Sequence, residues 1–377
     1  MKMNDVRIEV GGTLFGGWTS VKISAGITKM ARDFIVAFTR TSKAGGITMG
    51  VRPGDSVKVF IDDDLVLTGY VTGLDTAYSA TTVTLTMKGF SRTIDLCDCQ
   101  VPAGAPLSFK RTPIHSIVSR LAAHYGIEVE RQVPGAQTVD WDVSPTETVM
   151  STLEKMLKQH TMLLSDNALG ELVLLEAGSG GIAADELKTG GNILTATYSI
   201  EAKGLYSDYV VLGQGANSQS ERPVTDAQSM AVSRFSGIRR RVFVTKQSGD
   251  ATVAELQRRA KLLRDYAVGS SETYRCTVQG WRQSNGMLWK PNSMVRVIDS
   301  YFELDRYFVI GEVSFSLSRT GTTTDLLLKP LGSYIETAEL PKKDKEAAKS
   351  RNNLVHKGMT KDSAWTSNNK GGNNDSF

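Results

Sequence analysis

The sequence predicts a mainly β protein with an α+β insertion, and three observations carry that prediction. Segments 57–61, 83–87, 295–297 and 313–317 alternate apolar with polar or small residues, the period of two expected of half-buried strands. Glycine is abundant at 35 residues while aromatics make up only 7%, which suits many tight turns between short strands better than a large helical core. A helical period is confined to a stretch between about Gly104 and Ala177 and to one later segment. With 377 residues and 40% hydrophobic content the chain can supply cores for two or three domains.

Residues 1–104 read as an N-terminal β-barrel module. Pro53-Gly54-Asp55 turns the chain into strand 56–61, Asp62-Asp63-Asp64 reverses it, and 65–70 returns as the hairpin partner. The three aspartates lack the ligand spacing, glycine and distal glutamate of a calcium loop, so a solvated turn is expected.

Residues 105–190 read as a small α+β module. Thr112 is placed to cap a helix with Pro113 at its first position and Gly126 at its end, burying Ile114, Ile117, Val118, Leu121 and Tyr125. A second helix is signalled by the capping box Ser144-Pro145-Thr146-Glu147 and buries Val149, Met150, Leu153, Met156 and Leu157. Segments 162–164 and 171–175, joined through Asn167 and Gly170, should form a hairpin packed on both helices. Gly178-Ser179-Gly180-Gly181 lacks the lysine and helix start of a phosphate loop and reads as a linker.

Residues 191–335 read as a second β-barrel module. Its strands are expected at 194–200, 208–212, 241–244, 273–281, 294–298, 307–315 and 325–329, interrupted by an amphipathic helix at 251–268. That helix sets Val253, Leu256, Ala260, Leu263 and Ala267 on one face and basic residues around the others. From 336 to 377 the composition turns to Lys, Asp, Asn, Ser and Gly, a polar tail that cannot build its own core.

Catalytic chemistry finds no footing in the sequence. His115, His124 and His160 are scattered through the α+β module, no nearby sequence motif completes a catalytic or metal site, and they read as structural histidines. Cys97, Cys99 and Cys276 form no paired framework, which fits reduced thiols, and no second Cys or His pair accompanies Cys97 and Cys99 to make a metal site. The expectation is therefore no enzyme, no metal and no cofactor. The 44 basic residues nearly balance the 40 acidic ones, which argues against strong phosphate contact and specific nucleic-acid binding. No run of about 18 apolar residues predicts membrane insertion, and the first residues lack a secretory signal.

In this layout two sets of segments resemble the baseplate hub family of Mu-like contractile-tailed bacteriophages, related in fold to other contractile-tail hubs and type VI secretion spike proteins. The first is 52–61 (RPGDSVKVFI) with Thr68-Gly69-Tyr70-Val71 and Gly89 through Leu96. The second is Gly280-Trp281, then 288–297 (LWKPNSMVRV), then 321–326 (GTTTDL). The resemblance covers about residues 1–335. It implies a structural hub, a homotrimer in which each chain supplies two similar β modules, so that six units form a ring. Such a ring joins the six-fold tail tube to the three-fold membrane-piercing spike. The implied partners are the chain itself, the spike, the tube and other baseplate proteins, in the virion tail baseplate and, during assembly, the host cytoplasm.

Candidate interface residues follow. Arg239, Arg240 and Arg241, with Arg258 and Arg259 on the helix, could meet an acidic inter-subunit or tube partner. Trp281 and Trp289 flank the loop 282–288 and either anchor a contact or pack inside the second module. A receptor- or carbohydrate-binding tail protein is the alternative reading, and it calls for an exposed aromatic platform that the dispersed tryptophans do not supply.

Overall fold

The structure, a computed structural model, describes residues 5–27, 29–41, 50–133, 137–158, 160, 162–214, 230–234, 236–250 and 253–334. The expected tail at 336–377 and most of the polar loop before Met230 lie outside the described residues.

The N-terminal unit is an antiparallel sheet. Its strands are β1 (Val6–Val10), β2 (Thr13–Phe15), β3 (Ser20–Gly26), β4 (Asp33–Thr41), β5 (Ser56–Ile61), β6 (Asp64–Tyr78) and β7 (Thr82–Ser91). They pair in the order β3-β4-β7-β6-β5-β1-β2. Alternation works as read: Val57, Val59 and Ile61 of β5 are buried while Ser56 and Lys58 face water. Gly54 takes a φ of +97°, and its N–H reaches Val71 O, closing the turn that Pro53 starts.

The α+β module follows, with α1 (Ile94–Asp98), β8 (Ser108–Pro113), α2 (Ile114–Ala123), β9 (Val129–Arg131), β10 (Thr138–Asp142), α3 (Val149–Lys158), β11 (Leu163–Asp166) and β12 (Leu172–Leu175). The apolar faces of α2 and α3 are those expected except for Tyr125, which lies past the end of α2 and is half-buried, and with Leu164, Leu172 and Leu174 they make one core. Both caps differ from expectation. Thr112 is still in β8, paired with Val139, and its hydroxyl bonds Lys110 O, so Pro113 stands at the N-cap without a side-chain cap. Ser144 closes a turn to Glu147, and it is Thr148 Oγ1 that accepts the Ser151 N–H at 3.2 Å. Glu147 instead reaches Lys155 at 2.6 Å.

The remaining elements are β13 (Leu187–Lys188), β14 (Ile193–Ile200), β15 (Asp208–Gln214), β16 (Met230–Arg234), β17 (Val242–Asp250), α4 (Val253–Ser271), β18 (Glu272–Gln279), β19 (Met294–Asp299), β20 (Leu304–Ser318) and β21 (Gly321–Lys329). The strands expected at 208–212 and 241–244 do not join the second β unit. They form a separate sheet, β16-β15-β17, whose Val211 packs on Leu256 and Ala260 of α4. Both edges of β15 are taken by β16 and β17, so it has no edge left for the larger sheet.

The mainly β class is what the chain builds, but the two barrel-like modules are halves of one open sheet. Among the described residues thirteen strands join in the order β14-β18-β21-β20-β3-β4-β7-β6-β5-β1-β2, with β19 beside β20 and β13 beside β19. The halves meet where β3 lies antiparallel to β20, from Val21 opposite Leu317 to Gly26 opposite Glu312. One hydrophobic core spans the joint, placing Phe34, Val36, Val59 and Met87 in the same cluster as Tyr274, Val295, Phe308 and Leu326.

Each half repeats one strand order, β5-β6-β7-β4-β3 in the first and β19-β20-β21-β18-β14 in the second. The central strands β6 and β20 are both 15 residues long, and each shifts register against its hairpin partner at a matching place. The β15–α4 unit is inserted between β14 and β18, where the first half has only the short link from β3 to β4.

Candidate functional site

Trp281 and Trp289 are core residues, which removes them as interface anchors. They are 0% and 3% exposed, and the Trp281 indole N–H reaches Ser316 O and Thr323 O, both at 3.1 Å. A tryptophan in the sheet interior satisfies its single donor this way and leaves nothing for a partner chain.

The five arginines all lie in the β15–α4 unit. Arg239 and Arg240 are exposed on the turn before β17. Arg241 is used internally: its guanidinium donates to Ala202 O at 2.9 Å and Lys203 O at 3.0 Å and sits 4.8 Å over the Tyr206 ring. On α4, Arg258 is exposed and Arg259 half-buried.

Two polar clasps that the sequence did not reveal tie the units together. Arg282 extends from the 282–288 loop to the hairpin turn of the first half, with Nη2 2.8 Å from Asp62 Oδ2 and Nη1 2.7 Å from Asp64 Oδ2. The aspartate turn is therefore only partly solvated, because Asp63 is exposed while Asp62 is nearly buried with φ at +53°. The second clasp is Asp166 at the end of β11. Its carboxylate accepts the Arg32 N–H at 2.9 Å, Arg32 Nε at 3.2 Å and the Ser91 hydroxyl, which fastens the α+β module to the sheet. Burial pushes the Asp166 carboxyl up, opposed by the Arg32 guanidinium and backbone N–H.

The supposed linker is also pinned. Asn292, with φ at +68°, donates to Glu176 O and Ser179 Oγ and accepts the Gly178 N–H at 2.7 Å. A Cβ on Gly180 would come within 2.8 Å of the Asn292 backbone, so this glycine is required by a close approach rather than by freedom.

Other ionisable groups serve packing. Glu272 is buried and bonded to Arg306 and Tyr198, and Tyr274 donates to Asp299 at 2.7 Å. Burial raises the Cys97 thiol to about 11 and the Cys276 thiol to about 12, far from a nucleophile's range. Among the described residues no three His, Cys, Asp or Glu side chains gather as metal ligands. An open groove of about 350 Å³ is lined by an interspersed set of charges, Lys22, Arg275, Glu312 and Asp325, together with Ser314 and with Cys276, whose thiol is kept protonated by burial.

The surface that stands out is strand edge. Among the described residues β14 has a strand partner on one side only, and β6 beyond Val71 has β7 on one side and no strand on the other. Leu194, Ile200 and Tyr78 on these segments are 52%, 54% and 87% exposed.

Three family models match in chain order: Mu phage baseplate assembly protein GpP-like, N-terminal, over residues 5–91; baseplate hub protein gp44-like, second domain, over 93–176; and Mu phage baseplate assembly protein GpP, fourth domain, over 252–336. Baseplate hub protein gp44 of Escherichia phage Mu is 26% identical over 363 residues, covering 93% of this chain and 94% of that protein. Among solved structures, the 43 kDa tail protein of prophage MuSo2 from Shewanella oneidensis superposes with a TM-score of 0.77. It is 24% identical, with 89% of this chain and all of that one covered. An Escherichia coli component of the type VI secretion system shares the fold more distantly, at a TM-score of 0.50 and 10% identity over 86% of this chain and 76% of its own.

Proposed function

We infer that this chain, a homologue of the Mu-like phage baseplate hubs, is a structural component of a contractile tail baseplate. The observation that carries this reading is the succession of hub-domain matches in order along the chain, with a full-length relative of the same kind.

Its working form is a homotrimeric ring that adapts a six-fold tail tube to a three-fold spike. The repeated strand order supports this form, because a chain with two similar halves presents six similar units when three chains assemble. The tube, the spike and other baseplate proteins are its neighbours in the virion tail, after assembly in the host cytoplasm. It does no chemistry of its own. Division into 1–104, 105–190, 191–335 and 336–377 separates a β half, a buttressing α+β module, a second β half and a polar tail. The exposed Arg239, Arg240 and Arg258 are the candidates for an acidic neighbour.

Light scattering during size exclusion, at several concentrations and at moderate and high salt, tests the ring. A mass of three times 41.0 kDa is expected. A single-chain mass throughout removes the preformed ring.

A further inference from the structure

We propose that Asn285 is a site of spontaneous deamidation, and that its conversion to isoaspartate slackens the Arg282 clasp between the two β halves. The inference concerns a single chain and stands apart from the ring reading above.

Four asparagines fall among the described residues, and their surroundings separate them. In deamidation the main-chain nitrogen of the next residue attacks the asparagine Cγ, and the side-chain nitrogen leaves as ammonia. The reaction therefore favours an unshielded successor and a side-chain nitrogen that nothing holds. Asn167, Asn192 and Asn292 fail the second condition. Their Nδ2 atoms donate, respectively, to Glu130 and Glu171, to Glu186 O, and to Glu176 O and Ser179 Oγ. Asn192 also precedes Ile193, whose branched Cβ crowds the approach, and Asn292 is buried.

Asn285 meets both conditions. It is exposed, its Nδ2 has no hydrogen-bond partner among the described residues, and it begins the one Asn-Gly step in the sequence. Its Oδ1 accepts the Met287 N–H at 3.0 Å, which folds the carboxamide back over the 285–286 peptide and brings Cγ beside the Gly286 nitrogen. Gly286 has no Cβ to obstruct that approach, and open space surrounds it. Hydroxide removes the Gly286 amide proton, the nitrogen bonds to Cγ, and the Cγ–Nδ2 bond breaks, with ammonia leaving on a proton from water. Water then opens the cyclic imide. Cleavage at Cγ leaves aspartate, whereas cleavage at the main-chain carbonyl leaves isoaspartate, whose backbone runs through Cβ and Cγ and is longer by one methylene. The Gly286 N–H also donates to Gln283 O at 2.8 Å, so the turn must loosen before its proton can go.

The added methylene enters a turn on which the clasp depends. Gln283 N–H closes this turn on Met287 O at 2.8 Å. Gly286 O accepts Arg282 Nη1 at 2.9 Å, the same nitrogen that reaches Asp64 Oδ2 at 2.7 Å. A lengthened backbone carries Gly286 O away from the guanidinium it helps to aim. The new carboxylate also adds negative charge next to Arg282, which already serves Asp62 and Asp64, and close to Asp185, which holds the Ser284 N–H at 2.8 Å. Like charges competing for one guanidinium weaken its hold on the 62–64 turn.

Timed ageing of the full chain at 37 °C, at pH 7 and at pH 9, tests the proposal by peptide mass mapping and urea titration of the same samples. A gain of one mass unit is expected at Asn285 about tenfold sooner than at Asn192, because glycine follows the one and a β-branched residue the other. The gain should come faster at pH 9, and the product peptide should separate into aspartate and isoaspartate forms on chromatography. The urea midpoint of the aged parent should fall. That of aged Asn285→Gln, whose longer side chain cannot close the same five-membered ring, should hold. In Arg282→Ala the clasp is already absent, so Asn285 should still convert while the midpoint falls no further on ageing. Conversion of Asn285 no faster than that of Asn192 in the folded chain overturns the site. Conversion with an unchanged midpoint in the parent, or with an equal further fall in Arg282→Ala, overturns its coupling to the clasp.

Discussion

Arg282 grips Asp62 across the boundary between the two β halves, its Nη2 2.8 Å from Asp62 Oδ2, with side-chain exposures of 13% and 9%. Removing the guanidinium leaves a nearly buried carboxylate without its cation, which costs more than the pair gains. Arg282→Ala is expected to lower unfolding stability by about 2–3 kcal/mol in urea titration. Asp62→Asn should recover part of that loss in the double variant, because the uncompensated charge is gone.

Asp166→Ala should cost about 3 kcal/mol, since it removes the buried carboxylate that pairs with the half-buried Arg32 and accepts from the buried Ser91 hydroxyl. The loss is local first: amide exchange in β11 and β12 should accelerate more than in β20. The pH dependence has an unusual sign. Burial raises the folded carboxyl above its unfolded value, so this group binds its proton more readily in the folded state. Its contribution to stability therefore falls as pH rises through that window, and Asp166→Asn should flatten the acid side of the stability profile.

Gly89 faces the Tyr70 carbonyl and the Phe34 ring so closely that any Cβ there overlaps both. Gly89→Ala is expected to destabilise by at least about 3 kcal/mol or to yield insoluble protein. Gly12→Ala, with open space around its Cβ position but a φ of +82°, should cost only about 1 kcal/mol in the same titration.

The strand periods were legible because alternation reports burial directly, as in β5 and β21, and the apolar faces of α2 and α3 were legible for the same reason. Thr112 and Ser144 were misread because a cap depends on where the preceding strand or turn releases the chain. Pairing of Thr112 with Val139 holds it in β8. The clasp of Arg282 on Asp62 joins residues 220 positions apart, and three adjacent aspartates carry no local sign of such a partner. Trp281 and Trp289 could be either anchor or core from sequence, and their burial decides for the core, where Trp281 also packs against Phe315 with ring centroids 6.2 Å apart. Two similar β modules were implied by the family resemblance, but the joint between β3 and β20 was not legible in the sequence.

Thiol reactivity gives a further check. With Cys276 raised to about 12 by burial, it should resist iodoacetamide at pH 8 until the chain unfolds. Cys97, raised to about 11, should label slowly at pH 8 and faster as pH rises toward that value. Peptide mass mapping after timed alkylation reads both.

Arg239→Ala with Arg240→Ala removes two exposed charges and should leave stability within about 0.5 kcal/mol of the parent. If these arginines meet an acidic neighbour, the double variant should weaken co-purification with tail proteins, and more so at low salt than at high salt.

Electron microscopy of the purified assembly tests the central claim most directly. Two-dimensional averages viewed down the symmetry axis are expected to show three-fold symmetry with six similar lobes around an open centre. Two-fold particles, or particles of one chain at every concentration, would contradict a hub built from three copies of a twofold-repeated chain.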